Sequence, residues 1–311
     1  MSDGQAHPLT APDGRALAAR VFRPRVAPRA SLLIAPAMGV PQRVYAPLAG
    51  WLRDRGVAVL TLDYRGTGES RAVPLPDERA DLLTWAHQDL AAGLAAASAL
   101  APERPRLYLG HSLGGQLFPL VPGAEGVDRS FTVAAGSGWW RHNAPALRRK
   151  VWIFWWVAVP LLTPVFGYFP GRRLGMVGDL PAGAVRQWRT WSHHPDYLLG
   201  CVPGARAAYA AVRTPTTVIS FEDDELLSQA SVDGLAAALV GAPLSRRHHP
   251  RGARRIGHFG FFHPEKGPPL WEALLAPQLD APAAPAGGGS ERVGSMAERP
   301  AASVRAAVGD P

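Results

Sequence analysis

One cysteine, Cys201, stands in 311 residues. That excludes an intrachain disulfide and a thiolate metal cluster, and the lone thiol reads as a small buried hydrophobe. Lysine is nearly as scarce, at Lys150 and Lys266 only, so the formal net charge of +8 is carried by arginine. Dense arginine occurs at "RRK" (148–150), "GRR" (171–173) and "RRHHPRGARR" (246–255). No recognition motif accompanies these runs; they read as solvated or anion-attracting faces, and no nucleic-acid partner is expected. Charged residues are few, 19% against 47% hydrophobic, which is enough apolar content for a sizeable core. The opening "MSDGQAHPLTAPDGRALAAR" lacks an apolar h-region. No secretory signal is expected from it, and with one cysteine the expectation is a reducing, cytoplasmic compartment. No internal repeat is visible.

What the chain does have is strand–helix alternation. "ALAARVF" (16–22), "SLLIAP" (31–36), "VAVLTLDY" (57–64), "RLYLGHS" (106–112), "FTVAAGSG" (131–138) and "TTVISFE" (216–222) read as strands. Several are unbroken apolar runs, as in parallel strands covered on both faces. Helices are expected around Val44, Leu48, Trp51 and Leu52, over 81–100, and over 228–241 with Ser228 as cap. The expected fold is α/β, a doubly wound and mostly parallel sheet. Residues 1–138 and 200–280 would form the core, 139–199 an inserted aromatic-rich cap, and the low-complexity stretch 281–311 a disordered tail.

In "RLYLGHSLGGQLFPL" (106–120) a strand runs into Ser112, with Gly110 before it and Gly114 and Gly115 after it. Glycines at i−2 and i+2 weaken strand and helix alike. A strand ending in G-x-S-x-G and continuing into a helix makes a sharp turn that lifts the serine hydroxyl clear of the sheet. The helix start behind it offers N–H groups and a positive dipole end to a developing oxyanion. A serine hydroxyl needs a base to take its proton and a third group to orient that base. Downstream, "TTVISFEDDELLS" supplies adjacent carboxylates at Asp223 and Asp224, and "RRIGHFGFF" places His258 after a glycine. Ser, acid, His is the order this arrangement requires. Among the other histidines, His111 is tied to the turn, and His193, His194, His248 and His249 lie in polar or basic stretches that read as surface loops. His263 lacks the preceding glycine.

On these residues the chain resembles the α/β-hydrolase superfamily over about residues 16 to 276. The resemblance implies Asp224 as the acid, three residues beyond Phe221, with Asp223 a turn residue and Glu222 and Glu225 solvated. It implies backbone N–H donors at Leu113 and, in "IAPAMGV", at Met38, although Pro36-Ala37 stands where a His-Gly pair is common. In "DYRGTGES" (63–70), Asp63 and Arg65 would brace loops. "APAMGV", "DYRGTGES", "GHSLGGQ", "LPAGAVRQWRTWSHHPDY" and "IGHFGFF" together resemble a bacterial subgroup related to serine aminopeptidase and monoglyceride-lipase-like proteins. The function this implies is serine hydrolysis of carboxylic esters, with acyl transfer, amide hydrolysis or a non-catalytic membrane-associated scaffold as alternatives. No metal or organic cofactor is implied.

"VWIFWWVAVPLLTPVFGYF" (151–169) carries no charge over nineteen residues. About twenty apolar residues span a bilayer. A span here would part Ser112 from Asp224 and His258, and Pro160, Pro164 and Gly167 would interrupt a regular helix. The expectation is a cap that favours a small-molecule ester with an apolar acyl or aromatic part. Its tryptophans would either line the cleft or fill the cap's own core, with Trp188 and Trp191 packing. Arg148, Arg149, Lys150, Arg172 and Arg173 leave peripheral membrane contact open.

Overall fold

The computed structural model describes residues 4–144, 147–176 and 178–279; the expected tail 281–311 lies outside the described residues. Eight strands form one sheet: β1 (Gln5–Ala6), β2 (Ala19–Phe22), β3 (Ala30–Ala35), β4 (Val57–Leu62), β5 (Arg106–His111), β6 (Arg129–Val133), β7 (Thr216–Phe221) and β8 (Leu244–His249). Their spatial order is β1-β2-β4-β3-β5-β6-β7-β8. β2 runs antiparallel to β1 and β4, and every other pairing is parallel. Every residue of β3, β4 and β7 is buried, as unbroken apolar runs demand of strands covered on both faces.

One face of the sheet is covered by α1 (Ala46–Asp54), with Leu48, Leu52 and Trp271 in its core. The opposite face is covered by α2 (82–99) and α3 (Leu113–Leu117), with Leu82, Trp85, Leu94 and Leu117 buried there. Two strands depart from expectation. β1 is a two-residue edge, and β8 occupies the arginine- and histidine-rich stretch read above as surface loop. β8 pairs with β7 on one side only, and most of its side chains are half-buried or exposed. Its backbone pairing needs no apolar alternation, and charge is how exposed edges are protected.

The stretch between β6 and β7 carries α4 (148–166) and α5 (Ala182–His193). α4 runs through both prolines instead of breaking. A π turn at Phe154–Ala158 precedes Pro160, so the missing N–H falls where the hydrogen-bond ladder is already shifted. Gly167, in the left-handed region, ends the helix. Phe154 and Trp155 are buried, edge-on to Phe169 and Trp188 at 5.2 and 4.7 Å, and Trp191 is buried too. These rings belong to the same buried cluster as Leu82, Trp85 and Leu117, continuous with the core on the α2 face of the sheet.

The "DYRGTGES" turn braces loops as expected. Asp63 accepts from the backbone N–H of Gln42 and Glu69 at 2.7 and 2.8 Å. Buried Arg65 donates from Nε to Asp89 Oδ1 at 2.7 Å and from its terminal nitrogen to Asp13 Oδ1 at 3.0 Å. Asp89 is wholly buried, so Arg65→Met would strand a carboxylate with no counter-charge. Urea unfolding should read a loss of about 3–5 kcal/mol. An unchanged midpoint would refute the bracing role.

Candidate active site

Four loops converge where parallel strands end, the edge at which open α/β sheets take ligands. They follow β3 (with Met38), β5 (Ser112), β7 (Asp224) and β8 (His258).

Ser112 sits between β5 and α3 with φ 49° and ψ −112°. A non-glycine residue there is strained and held in place by its surroundings. Those surroundings require glycine. A Cβ on Gly110 would come within 2.3 Å of the Gly115 nitrogen, and one on Gly114 within 2.3 Å of the Ala35 carbonyl oxygen. The strand and the helix behind the serine therefore meet backbone to backbone, and Ser112 stays half-exposed at the turn.

His258 and Asp224 are buried, 2% and 8% exposed, and joined at 2.8 Å from Nδ1 to Oδ2. A carboxylate only accepts, so Nδ1 carries a proton, and in the neutral ring the lone pair is on Nε2. The other oxygen of Asp224 accepts from the backbone N–H of Leu226 and Leu227 at 2.8 and 3.0 Å, which fixes the carboxylate plane. Asp223 turns elsewhere and accepts from the N–H of Ile256 and Gly257 at 2.7 and 2.9 Å. It braces the histidine loop. Glu225 differs from its expected solvated role: it accepts from the His258 N–H at 3.0 Å and pairs with Arg255 at 3.3 Å. Glu222 is exposed, as expected, and also accepts from the Arg251 N–H at 2.7 Å. Both carboxylates bind turn N–H groups that a sequence cannot place.

The neighbour of Ser112, His111, is tied to the turn as expected and also links the loops of the site. Its Nε2 lies 3.1 Å from the His258 carbonyl oxygen, and its Nδ1 lies 3.0 Å from the Tyr45 hydroxyl. A carbonyl only accepts, so Nε2 is the protonated nitrogen and Nδ1 accepts from Tyr45. Tyr45 in turn accepts from the Ala37 N–H at 2.8 Å, one residue before Met38. Burial, and then repulsion from His258 when that ring is protonated, hold the His111 imidazole well below the usual histidine range, so it stays neutral. This chain of bonds connects the loop after β3 to the loop bearing His258, whose ring centroid is 5.1 Å from that of His111. A polar residue at the end of an apolar strand was the available signal for it.

Among the described residues, the N–H groups of Met38 and Leu113 have no hydrogen-bond partner, and Ser112 Oγ has none. Leu113 opens α3, where the first N–H groups point outward without intrahelical acceptors. Phe259, 38% exposed, sets its ring 5.0 Å from that of His258 and gives the site an apolar wall. His248 belongs to β8 rather than a loop, and its Nδ1 meets Ser220 Oγ at 2.9 Å. Among the described residues, no group of three or more His, Cys, Asp or Glu is arranged to hold a metal ion.

A family model described as serine aminopeptidase, S33, matches residues 26–160, which include Ser112 but stop short of Asp224 and His258. No curated protein matches the sequence. A soluble variant of monoglyceride lipase from Saccharomyces cerevisiae, solved with a substrate analogue, superposes with a TM-score of 0.61 at 14% identity, over 88% of this chain and 94% of its own. A lipase-class structure from Acinetobacter baumannii gives 0.56 at 16%, over 88% and 90%. An α/β serine hydrolase without lid from Xanthomonas campestris gives 0.51 at 16%, over 88% and 93%. At such identities the likeness is one of fold.

Proposed function

We propose that this chain, which has the fold of the α/β hydrolases, is a serine hydrolase cleaving carboxylic esters through Ser112, His258 and Asp224. The observation that carries this reading is the buried His258–Asp224 bond, which holds the Nδ1 proton of a ring 5.1 Å from that of His111, the residue preceding the strained, half-exposed Ser112. Ser112 Oγ turns about χ1 and attacks the ester carbonyl carbon while His258 Nε2 takes its proton. The new imidazolium is stabilised by Asp224. The carbonyl oxygen, now an oxyanion, accepts from the N–H groups of Met38 and Leu113. As the carbon–oxygen bond to the leaving alcohol breaks, Nε2 returns the proton to it. Water then attacks the acyl-serine with His258 as base, the acid leaves, and Ser112 regains its proton. The residues supply every proton transfer without a cofactor.

Phe259 beside His258 supports an apolar acyl or aromatic group on the substrate. The segment 139–199, inserted between β6 and β7, acts as a cap. One observation favours a second reading: the S33 aminopeptidase match around the serine supports amide hydrolysis by the same residues. Fold does not choose between them. A panel of p-nitrophenyl esters of graded chain length and aminoacyl p-nitroanilides does. Esters should turn over, faster with longer acyl chains, and anilides should not. The reverse preference selects the amide reading, and turnover of neither class contradicts both.

A further inference from the structure

α4 has two apolar faces and only one of them is covered. Phe154, Trp155, Val159 and Thr163 are buried, whereas Trp152, Ile153, Val157, Leu161 and Val165 are between 40% and 76% exposed. Ile153, Val157, Leu161 and Val165 recur every fourth residue, so they form one continuous outward stripe. Large apolar side chains aligned in this way on a surface mark a contact site.

The charge carried by the segment that bears the stripe is of one sign. From Arg129 to Gly178 the sequence contains no aspartate or glutamate. Arg141, Arg148, Lys150, Arg172 and Arg173 are all exposed within that stretch. Arg148 and Lys150 stand in the first turn of α4, and Arg173 lies over the Phe166 ring at its far end, 5.1 Å from the centroid. Asp179, which faces Arg172 at 3.8 Å, is only 13% exposed, so the border is predominantly cationic, and an apolar stripe bordered in this way matches an interface of acyl chains beneath anionic headgroups. A second copy of the chain fits poorly. A two-fold contact would set this cationic border against itself. Crossing the bilayer is a different matter, since no helix among the described residues is long and apolar enough.

We propose that the outward face of α4 docks the protein onto the surface of an anionic lipid bilayer, with the helix lying in the interfacial plane. The docked face is close to the site. Just before α4, Asn143 Nδ2 donates to the Leu226 carbonyl at 2.9 Å, and Ser228 Oγ donates to that of His142 at 2.6 Å. Leu226 belongs to the turn that holds Asp224. A bound bilayer would thus lie beside the loop bearing the acid.

The test is co-sedimentation of the full chain with phosphatidylcholine vesicles, with and without phosphatidylglycerol. Ser112→Ala serves as the background, so that the result is independent of the hydrolase reading. Binding should be at least about tenfold stronger on the anionic vesicles and fall as salt rises. Leu161→Asp with Val165→Asp should abolish it, as should Lys150→Glu with Arg172→Glu and Arg173→Glu. Both side-chain sets are exposed, so thermal unfolding should be unchanged in either variant. No binding to anionic vesicles, equal binding to neutral ones, or binding that survives the aspartates would overturn the proposal. So would a parent dimer that the aspartate variant converts to monomer, since a second copy would then be the occupant.

Discussion

Ser112→Ala should lower the turnover of a p-nitrophenyl ester by at least about three orders of magnitude while leaving thermal unfolding close to that of the parent. The hydroxyl has no hydrogen-bond partner among the described residues, so its removal breaks no bond on which the fold depends. Alanine inherits the same φ of 49° and the same strain, and the glycine contacts behind the turn are untouched. What is lost is the attacking oxygen. A residual rate over water should remain, because the N–H groups of Met38 and Leu113 would still polarise a bound carbonyl. His258→Ala should fall to about the same level, and the double variant little further, as groups acting in one step are not additive. The check is kcat at saturating ester beside a melting curve; turnover within about tenfold of the parent would contradict the assignment.

Asp224→Asn carries the second large effect, about four orders of magnitude in kcat. The oxygen that accepts from Leu226 and Leu227 can be kept by asparagine, and keeping it swings the new amide nitrogen toward His258 Nδ1. Nδ1 must then accept, the proton moves to Nε2, and no lone pair is left to receive the Ser112 proton. Asp223→Asn should do far less. It removes one of two acceptors from the Ile256 and Gly257 N–H groups, which costs about 1 kcal/mol of stability and less than about tenfold in rate. Measuring both variants side by side decides the matter. A larger loss in the Asp223 variant would make that residue the acid.

The sharp turn at Ser112 could be read in advance because its information is local: an apolar strand leading into a serine and three glycines within residues 110 to 115. The choice between Asp223 and Asp224 was not local. Two adjacent carboxylates differ only in which way a turn points them, and here one meets an imidazole while the other meets backbone N–H groups 33 and 34 residues away. The His111–Tyr45 link joins residues 66 apart, and no periodicity records it. β8 was hidden because an edge strand of arginines and histidines shows none of the apolar alternation by which strands are recognised. The segment 151–169 was plain as an apolar run, but its division into a covered and an open face was not, since both faces are apolar.

Reaction of the full chain with a fluorophosphonate, followed by peptide mapping, asks the central question without needing the natural substrate. One adduct should form per chain, on Ser112, and should be absent from Ser112→Ala and slowed in His258→Ala. A folded parent protein that takes up no phosphonate, or takes it up on another residue, would show that the convergence of Ser112, His258 and Asp224 is not a nucleophilic site.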